Sequence, residues 1–251
     1  MAKQKPKLYL SPSSLGYFYE SRCPAAWHYN TKLIPIGEVN EAMARGTLVH
    51  ALLEGTISLG DVTDQKAAML YDKINSIRSS MNIQIDQTEI WQEFEIIPGV
   101  IWRRRLDAIG SVSGYRTTII DYKTAGGGWK TIPIGDNVIS PQSLGFQSIG
   151  YAVPMPGVKN WPVQVMFIVA GYRGPAQIFT YTYNKVDHKN LLDAIRLVKT
   201  AYDTNSFPKV RGYACAGSST EPPCPFLAPC FNEPNWAAKF TEKKHGKHET
   251  R

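Results

Sequence analysis

Two aspartates and a lysine have the types and spacing that point most directly to chemistry. Asp121 and Lys123 stand two residues apart in a β-rich segment, so their side chains share one face of the predicted strand. Asp107 and Asp121 are symmetric about Gly114, so a hairpin turn over Ser111–Arg116 would place them opposite each other. Two carboxylates this close repel unless a cation joins them, and Mg²⁺ prefers oxygen ligands. With an ammonium nearby, these groups supply what phosphodiester hydrolysis needs.

The same Asp-x-Lys spacing also occurs as a solvated ion pair on an exposed strand. Here the neighbours are apolar, namely Ile119-Ile120 on one segment and Ala108-Ile109 on the other. This context favours strands that run into a core, and it therefore favours a buried polar site.

Two predicted helices carry further polar residues at helical spacing. Gly46, His50 and Glu54 fall at i, i+4 and i+8, and the glycine would let this helix approach the sheet closely. A lone helical histidine is commonly a packing residue, but beside this glycine a metal-ligand role is reasonable. Gln147 and Tyr151 are an i, i+4 pair that forms either a partly buried face or two donors that hold substrate or orient the lysine.

The remaining pattern predicts the elements that must position these residues. Two helices are predicted to begin at Ser11 and at Ser140, and two more to span 41–57 and 64–80. A fifth is predicted to run from Asp187, as its N-cap, to Asp203. Strands are predicted at Ile90–Ile97, Val100–Ile109, Thr117–Tyr122, Val163–Ala170 and Gln177–Tyr183. This order predicts one α/β domain with a mixed central β-sheet flanked by helices.

The motifs, taken in order, resemble those of the PD-(D/E)xK nuclease superfamily and, more narrowly, of its RecB-like branch. The matching segments are Gly46-Thr-Leu-Val-His50, Leu106-Asp107, Asp121-Tyr-Lys-Thr124 and Gln147-Ser-Ile-Gly-Tyr151. The resemblance implies a restriction-endonuclease-like core that cuts DNA with Mg²⁺ or Mn²⁺. One departure is Arg104, where many relatives have a glycine three residues before the first aspartate.

The resemblance also implies a role for each matching residue. The metal ligands would be His50, Asp107, Asp121 and the carbonyl of Tyr122, and the catalytic set would be Asp107, Asp121, Lys123, Gln147 and Tyr151. Glu93 and Glu95, on an upstream predicted strand, are candidate accessory carboxylates.

All four cysteines fall into one pattern around the predicted core, and they are Cys23, Cys215, Cys224 and Cys230. Reduced thiols of this number bind Zn²⁺ or an iron–sulfur cluster equally well, so the count leaves both open. One cysteine before the core and three after it resembles the AddB-type and CRISPR-adaptation nucleases, which implies a structural [4Fe–4S] cluster. The eight-residue gap after Cys215 departs from that pattern and keeps zinc as the alternative.

The chain therefore divides into four predicted segments. They are an N-terminal helical segment over 1–40, a nuclease core over 41–205, a cysteine-rich segment over 206–238 and a basic tail over 239–251. Three aromatic residues near the cysteines, Trp27, Tyr29 and Trp236, either stack on bases or pack around the cluster.

Charge and hydropathy restrict the partners. The net charge of +7 comes mostly from the two ends of the chain, which is compatible with DNA but also typical of solvated tails. The longest apolar run, Val165–Ala170, is far shorter than the ~20 residues of a membrane span, and no apolar signal core follows the basic N-terminus. We expect a soluble cytoplasmic protein, in the host cell if the source is viral, without a membrane partner.

The sequence thus predicts a metal-dependent DNA nuclease. By resemblance it is an exonuclease of single strands or DNA ends, with partners from DNA repair, recombination or replication. The alternative is a non-catalytic DNA-binding or assembly module with a structural zinc site. The complete set of Asp107, Asp121 and Lys123 favours the enzyme.

Overall fold

The computed structural model describes residues 7–20, 23–35, 41–112, 115–124, 141–153, 163–209, 224 and 226–242. The helices are α1 (Pro12–Glu20), α2 (Pro24–Lys32), α3 (Glu41–Glu54), α4 (Gln65–Ser80), α5 (Pro141–Ala152), α6 (Lys185–Asp203) and α7 (Leu227–Phe231). The strands are β1 (Leu8–Leu10), β2 (Leu33–Pro35), β3 (Gln84–Ile97), β4 (Val100–Val112), β5 (Tyr115–Thr124), β6 (Val163–Ala170), β7 (Gln177–Tyr183) and β8 (Phe240–Glu242). Among the described helices, none has both the length and the apolar composition that crossing a bilayer requires.

A six-stranded mixed sheet forms the centre, which confirms the predicted fold class. Its main path runs β1-β4-β5-β6-β7, with β3 antiparallel to β4 and the β1–β4 and β5–β6 pairs parallel. Since β3 follows one edge of β4, β1 and β5 must share the other edge, at its two ends. Residues 103–107 of that edge have no strand partner in the described part of the chain, which leaves an opening in the sheet.

The β4–β5 register is the one that symmetry about Gly114 predicts. Ala108 pairs with Ile120, although residues 113 and 114 of the turn lie outside the described residues. No further pair follows on the side of Asp107 and Asp121, so the two strands separate where these aspartates stand. We call this place the fork.

Helices cover both faces of the sheet and bury its apolar side chains. On one face α3 and α4 contribute Val49, Leu53, Ala67, Leu70 and Ile74, which pack on Ala108, Ile120 and Ile168. On the other face α5 contributes Leu144, Tyr151 and Ala152, which pack on Leu106, Ile119 and Phe167. Helices α1 and α6 extend this second layer over β1 and the start of β4. The fork is therefore held between α3 and α5.

Two local expectations differ from the structure. The N-cap of α6 is Asn184, not Asp187, because the Asn184 side chain accepts hydrogen bonds from the backbone N–H groups of Val186 and Asp187. Asp187 instead completes a capping box by accepting from the Asn184 backbone N–H at 2.8 Å. The segment predicted as N-terminal and helical also contains strands, since β1 joins the main sheet and β2 pairs with β8.

Candidate active site

The carboxylate of Asp107 joins α3 to β5 across the fork. Its Oδ2 atom accepts a hydrogen bond from the backbone N–H of Tyr122 at 2.8 Å and lies 3.6 Å from Nδ1 of His50. The other ring nitrogen of His50 lies 3.1 Å from the Tyr122 carbonyl oxygen. These contacts place three of the four predicted metal ligands, His50, Asp107 and the Tyr122 carbonyl, side by side.

The close approach of α3 to the sheet depends on Gly46. A Cβ atom at this position would lie 3.1 Å from Oγ1 of Thr124 at the end of β5, which is tighter than ordinary contact. His50 follows one turn later on the same side of α3 and lines the same cleft. The glycine therefore allows the helix to bring His50 to the fork, as its spacing predicted.

Asp121 is the most deeply buried carboxylate of the site, with 2% of its surface exposed. Its Oδ2 atom lies 2.5 Å from Nζ of Lys123, yet this buried oxygen has no well-directed hydrogen bond within the described residues. The buried Tyr151 hydroxyl donates a hydrogen bond to the Asp121 side chain from the α5 side. Asp121 is thus positioned by one cation and one hydroxyl, and its Oδ2 atom has capacity for a further partner.

The protonation states follow from burial and neighbouring charge. Burial lowers the pKa of Lys123, but the attraction of Asp121 and then of Asp107 outweighs it, so the net pKa is raised and the amine stays charged. Burial raises the pKa of Asp107 to about 8, and the charge of Asp121 adds to this shift. Burial also lowers the pKa of His50, which keeps the imidazole neutral and able to bind a metal.

An acidic wall extends the site along α3 and β3. Ligand atoms of His50, Glu54 and Glu89 all lie within 4.8 Å of one another. Burial, and then hydrogen bonding and repulsion from Glu89, raise the pKa of Glu54 to about 7. Arg105 contacts both carboxylates, with its Nη2 atom 3.6 Å from Glu54 and its Nε donating to Glu89.

Glu89 is the site residue that sequence reasoning missed. It has a left-handed φ of 54°, and its neighbours Thr88 and Ile90 pair with Ala108 and Leu106, so it lies across from Asp107. The strand was predicted to begin only at Ile90 because the preceding residues are polar. A non-glycine residue at positive φ is a feature that only coordinates reveal.

The two residues that the sequence offered as accessory carboxylates, Glu93 and Glu95, make other contacts. Glu93 accepts a hydrogen bond from Nε of Arg103 at 2.6 Å, and Glu95 accepts one from the backbone N–H of Gly99 at 2.7 Å. Both therefore stabilise the β3–β4 hairpin, and neither lines the cleft at the fork.

Arg104 has a structural reason to replace the glycine of the resembling family. Its buried guanidinium donates to the carbonyl oxygen of Tyr151 at 2.6 Å, to that of Val153, and to Oε1 of Gln92 at 2.6 Å. Burial lowers the pKa of Arg104 to about 10, so it remains charged at neutral pH. It fastens the carboxyl end of α5, and with it Tyr151, to β4.

Gln147 lies on α5 one turn before Tyr151 and is half-buried. No hydrogen bond joins it to Asp121 or Lys123 among those of the described residues. Its predicted role as the partner of Tyr151 stays a prediction.

The side chains at the fork are of the types that bind a divalent cation, but among the described residues the group whose ligand atoms all lie within 4.8 Å of one another is His50, Glu54 and Glu89, without the two aspartates. Two buried carboxylates that repel each other, a buried carboxylate oxygen without a directed hydrogen bond, a neutral imidazole and a backbone carbonyl are the groups a hard cation would satisfy. Of these groups, those of His50, Asp107 and Tyr122 line an open cleft of about 670 Å³. Its lining includes Gly46, His50, Glu54, Arg105, Asp107 and Lys123.

Three of the four cysteines belong to one apolar group of side chains, which we call the cysteine cluster. Buried Cys23 and Cys230 pack with Ala25 and Ala26, and half-buried Cys224 and Tyr29 pack against them. Cys215 lies outside the described residues.

Among solved structures, the fold has a counterpart in a protein from Eubacterium rectale named "Putative exonuclease". The similarity covers 83% of this chain and 86% of that one, with 15% identity and a TM-score of 0.52, which establishes likeness of fold alone. A second structure, SSO0001, shares 13% identity over 90% of this chain and 87% of that chain, but its TM-score of 0.39 carries no argument. No family model and no curated protein matches the sequence.

Proposed function

We propose that this protein is a metal-dependent nuclease that hydrolyses phosphodiester bonds of DNA. The observation that carries the proposal is the fork, where Asp107 and Asp121 come from adjoining strands with the ammonium of Lys123 at 2.5 Å from Asp121. If the ion pair of Asp121 and Lys123 served structure alone, placing Asp107 beside it, where the pKa of Asp107 is raised, would only cost stability.

Mg²⁺ or Mn²⁺ would be held by His50, Asp107, Asp121 and the Tyr122 carbonyl, with Glu54 and Glu89 near enough to add a ligand. When bound, the cation supplies charge stabilisation for the phosphate and an acidified water. This role requires a neutral His50, which its lowered pKa provides, and it requires that metal binding displace the proton that Asp107 retains at neutral pH.

Lys123 acts from the cleft side of Asp121. Its ammonium, kept charged by the two aspartates, is positioned to stabilise negative charge that develops on a phosphate oxygen. Tyr151 holds Asp121 from the opposite side through its hydroxyl, and Arg104 fixes the end of α5 that carries Tyr151. The substrate therefore meets a rigid polar site that both helix layers support.

DNA is proposed as substrate because the cleft is open, the chain is basic, and the motif order resembles DNA nucleases. Exonuclease action on single strands or ends, and a structural [4Fe–4S] cluster on the four cysteines, are parts of the same proposal and come from that resemblance. The structure supports this part in that three of the cysteines belong to one apolar cluster, although their sulfur atoms do not all lie within 4.8 Å of one another, and zinc is the alternative metal.

A cleavage assay tests the proposal. End-labelled single-stranded and double-stranded DNA, and a circular single strand without ends, are incubated with Mn²⁺, Mg²⁺ or EDTA. We expect cleavage of linear DNA that needs the metal, spares the circle, and falls about 10³-fold or more in Asp121→Asn. Asp193→Asn, an exposed ion-paired aspartate on α6, should cleave like wild type.

Three outcomes would overturn parts of the proposal. Cleavage by Asp121→Asn at the wild-type rate would remove the fork from the mechanism. DNA binding without cleavage in any metal, by protein that contains one zinc per chain, would favour the non-catalytic module. Cutting of the circle would replace exonuclease with endonuclease action.

A further inference from the structure

A cavity of about 710 Å³ lies towards the end of β4 opposite the fork. Rings and an ammonium group from separate parts of the chain form much of its lining: Tyr9, His28, Tyr29, Lys32, Tyr202 and Trp236. Lys7 adds a second positive charge and Glu242 a negative one, so the lining is mainly aromatic and weakly basic.

Several of the rings are held in place by the protein. His28 stacks on Phe207 with centroids 4.1 Å apart, and Trp236 meets Phe240 edge-on at 6.3 Å. Burial, and then the charge of Lys32, lower the pKa of His28 to about 4, so its ring is neutral at physiological pH. The cavity therefore presents uncharged aromatic surfaces whose orientation is set before a ligand arrives.

A line of guanidinium groups connects this cavity with the fork. Tyr9 pairs with Ile101, which precedes Asp107 by six residues on β4, a distance of about 20 Å at ~3.3 Å per residue. The Arg103 guanidinium lies over the Tyr9 ring at 3.9 Å. Arg105, on the same face of β4, lines the active-site cleft. Both arginines are ion-paired with carboxylates. Their guanidinium groups therefore offer a DNA strand flat surfaces for contact more than net positive charge.

We infer that this aromatic cavity binds unpaired bases of a DNA strand whose backbone reaches the fork. The inference rests on the proposed nuclease function and adds a strand-binding site to it. Aromatic rings stack on any base, while Lys7 and Lys32 meet the phosphates. About 20 Å corresponds to about six stacked nucleotides at 3.4 Å each. An acidic peptide fits less well, because its carboxylates would leave the aromatic rings of the lining without a stacking partner.

Binding without cleavage is measured first, in the full chain carrying Asp121→Asn. The probes are fluorescein-labelled dT12, dT4 and a 12-mer of abasic sites, which keeps the phosphates and lacks the bases. We expect Trp236→Ala to weaken dT12 binding about tenfold and to leave the abasic strand unchanged. Lys32→Glu should weaken both 12-mers, and Leu197→Ala, which removes an exposed side chain of α6, should weaken neither.

An unchanged dT12 affinity in correctly folded Trp236→Ala would overturn the inference. If Trp236→Ala does not fold, the variant of exposed Lys32 tests the inference instead. Unchanged affinity of Lys32→Glu for both 12-mers would then overturn the inference. Polyglutamate is added as a competitor. If it displaces dT12 from the protein with Trp236 intact but not from Trp236→Ala, the cavity binds acidic peptides and the inference is overturned.

Cleavage with Asp121 intact separates this inference from the proposed function. Trp236→Ala should raise the KM for dT12 about tenfold with kcat unchanged, and it should leave dT4 cleavage as in wild type. Wild-type cleavage of dT12 with no effect of Trp236→Ala would remove the inference and keep the nuclease. Trp236-dependent binding of dT12 without any wild-type cleavage would remove the nuclease and keep the binding site.

Discussion

The fork and the cysteine cluster bury different kinds of side chain. At the fork, Asp107 and Asp121 belong to one hairpin, and burial, with the charge of Asp121 adding to it, raises the pKa of Asp107. In the cysteine cluster, Cys23 and Cys230 come from distant parts of the chain and pack with alanines. The Tyr29 hydroxyl donates to the Pro229 carbonyl at 3.1 Å, across 200 residues of sequence.

This difference separates function from stability. Holding Asp107 beside Asp121 at a raised pKa costs stability, which is typical of sites arranged for catalysis or ligand binding. The cysteine cluster joins the two ends of the chain through apolar contacts, and a metal on its thiols would act as a clamp. Substitutions at the fork should therefore alter activity more than stability. Substitutions in the cysteine cluster should alter stability more than activity.

The largest effect is expected for Cys23→Ser. Loss of one proposed ligand should release the iron, bleach the protein and lower its melting temperature strongly, since metal ligation contributes roughly 10–16 kcal/mol in small zinc peptides. Wild type purified without oxygen should be brown. The control Ala25→Ser puts a hydroxyl into the same cluster but keeps every thiol, and should stay brown.

Two results would contradict this prediction. Colourless wild type with one zinc per chain would replace the iron–sulfur cluster by zinc. Unchanged thermal stability of Cys23→Ser would show that the cysteine cluster does not clamp the ends.

Lys123→Met should lower the rate of DNA cleavage about 10³-fold while the fold persists, because the ammonium beside Asp121 is lost. Lys199→Met is a matched control, since Lys199 is also ion-paired, with Asp203 on α6. Rates are compared at saturating metal, with circular dichroism as the check on folding. A Lys123→Met rate within tenfold of wild type would show that the amine is structural.

Without metal, Asp107→Asn should be more stable than wild type, and this difference in unfolding free energy should grow as the pH rises. The Asp107 carboxyl has a pKa of about 8 in the fold but an ordinary value of 3.8. Between these values the unfolded chain is ionised and the folded one is not, so wild-type stability falls as pH increases from 4 to 8. Asparagine removes this loss, which is at most about 6 kcal/mol for a shift of about four pKa units.

Urea unfolding in EDTA at several pH values checks this prediction. The gap between variant and wild type should be small near pH 4, widen up to about pH 8 and then level off. Added Mn²⁺ should stabilise wild type but not Asp107→Asn. A gap that is independent of pH would mean that Asp107 ionises normally in the fold.

Arg104→Met should have the smallest effect, about 2 kcal/mol of stability, because the carbonyl oxygens of Tyr151 and Val153 lose their buried donor. Arg103→Met, which removes an arginine paired with Glu93 near the surface, should cost less than about 1 kcal/mol. Equal unfolding free energies for the two variants would indicate that Arg104 does not anchor α5.

Sequence reasoning succeeded where local pattern determines the structure. The bounds of β6 and β7 match the prediction residue for residue, because apolar and β-branched residues continue to each end. The register of β4 against β5, in which Ala108 pairs with Ile120, followed from the symmetry of the hairpin. His50 followed from helical spacing, since α3 runs unbroken past it.

Reasoning failed where a partner elsewhere in the chain decides. Strand β1 has three residues and exists through its pairing with β4, so no periodicity could reveal it. The first half of β3 is polar, which hid Glu89 and moved the accessory carboxylate to Glu93 and Glu95. The buried role of Arg104 depends on the end of α5, about fifty residues away in sequence, which no motif encodes.

Titration of the protein with Mn²⁺ at neutral pH, followed by electron paramagnetic resonance, tests the central claim most directly. We expect wild type to bind Mn²⁺, and Asp107→Asn and Asp121→Asn each to bind it at least about tenfold more weakly, because the two carboxylates share the ion. Glu95→Gln, outside the cleft, should bind as wild type. Undiminished affinity in both aspartate variants would contradict the claim that the fork is a metal site.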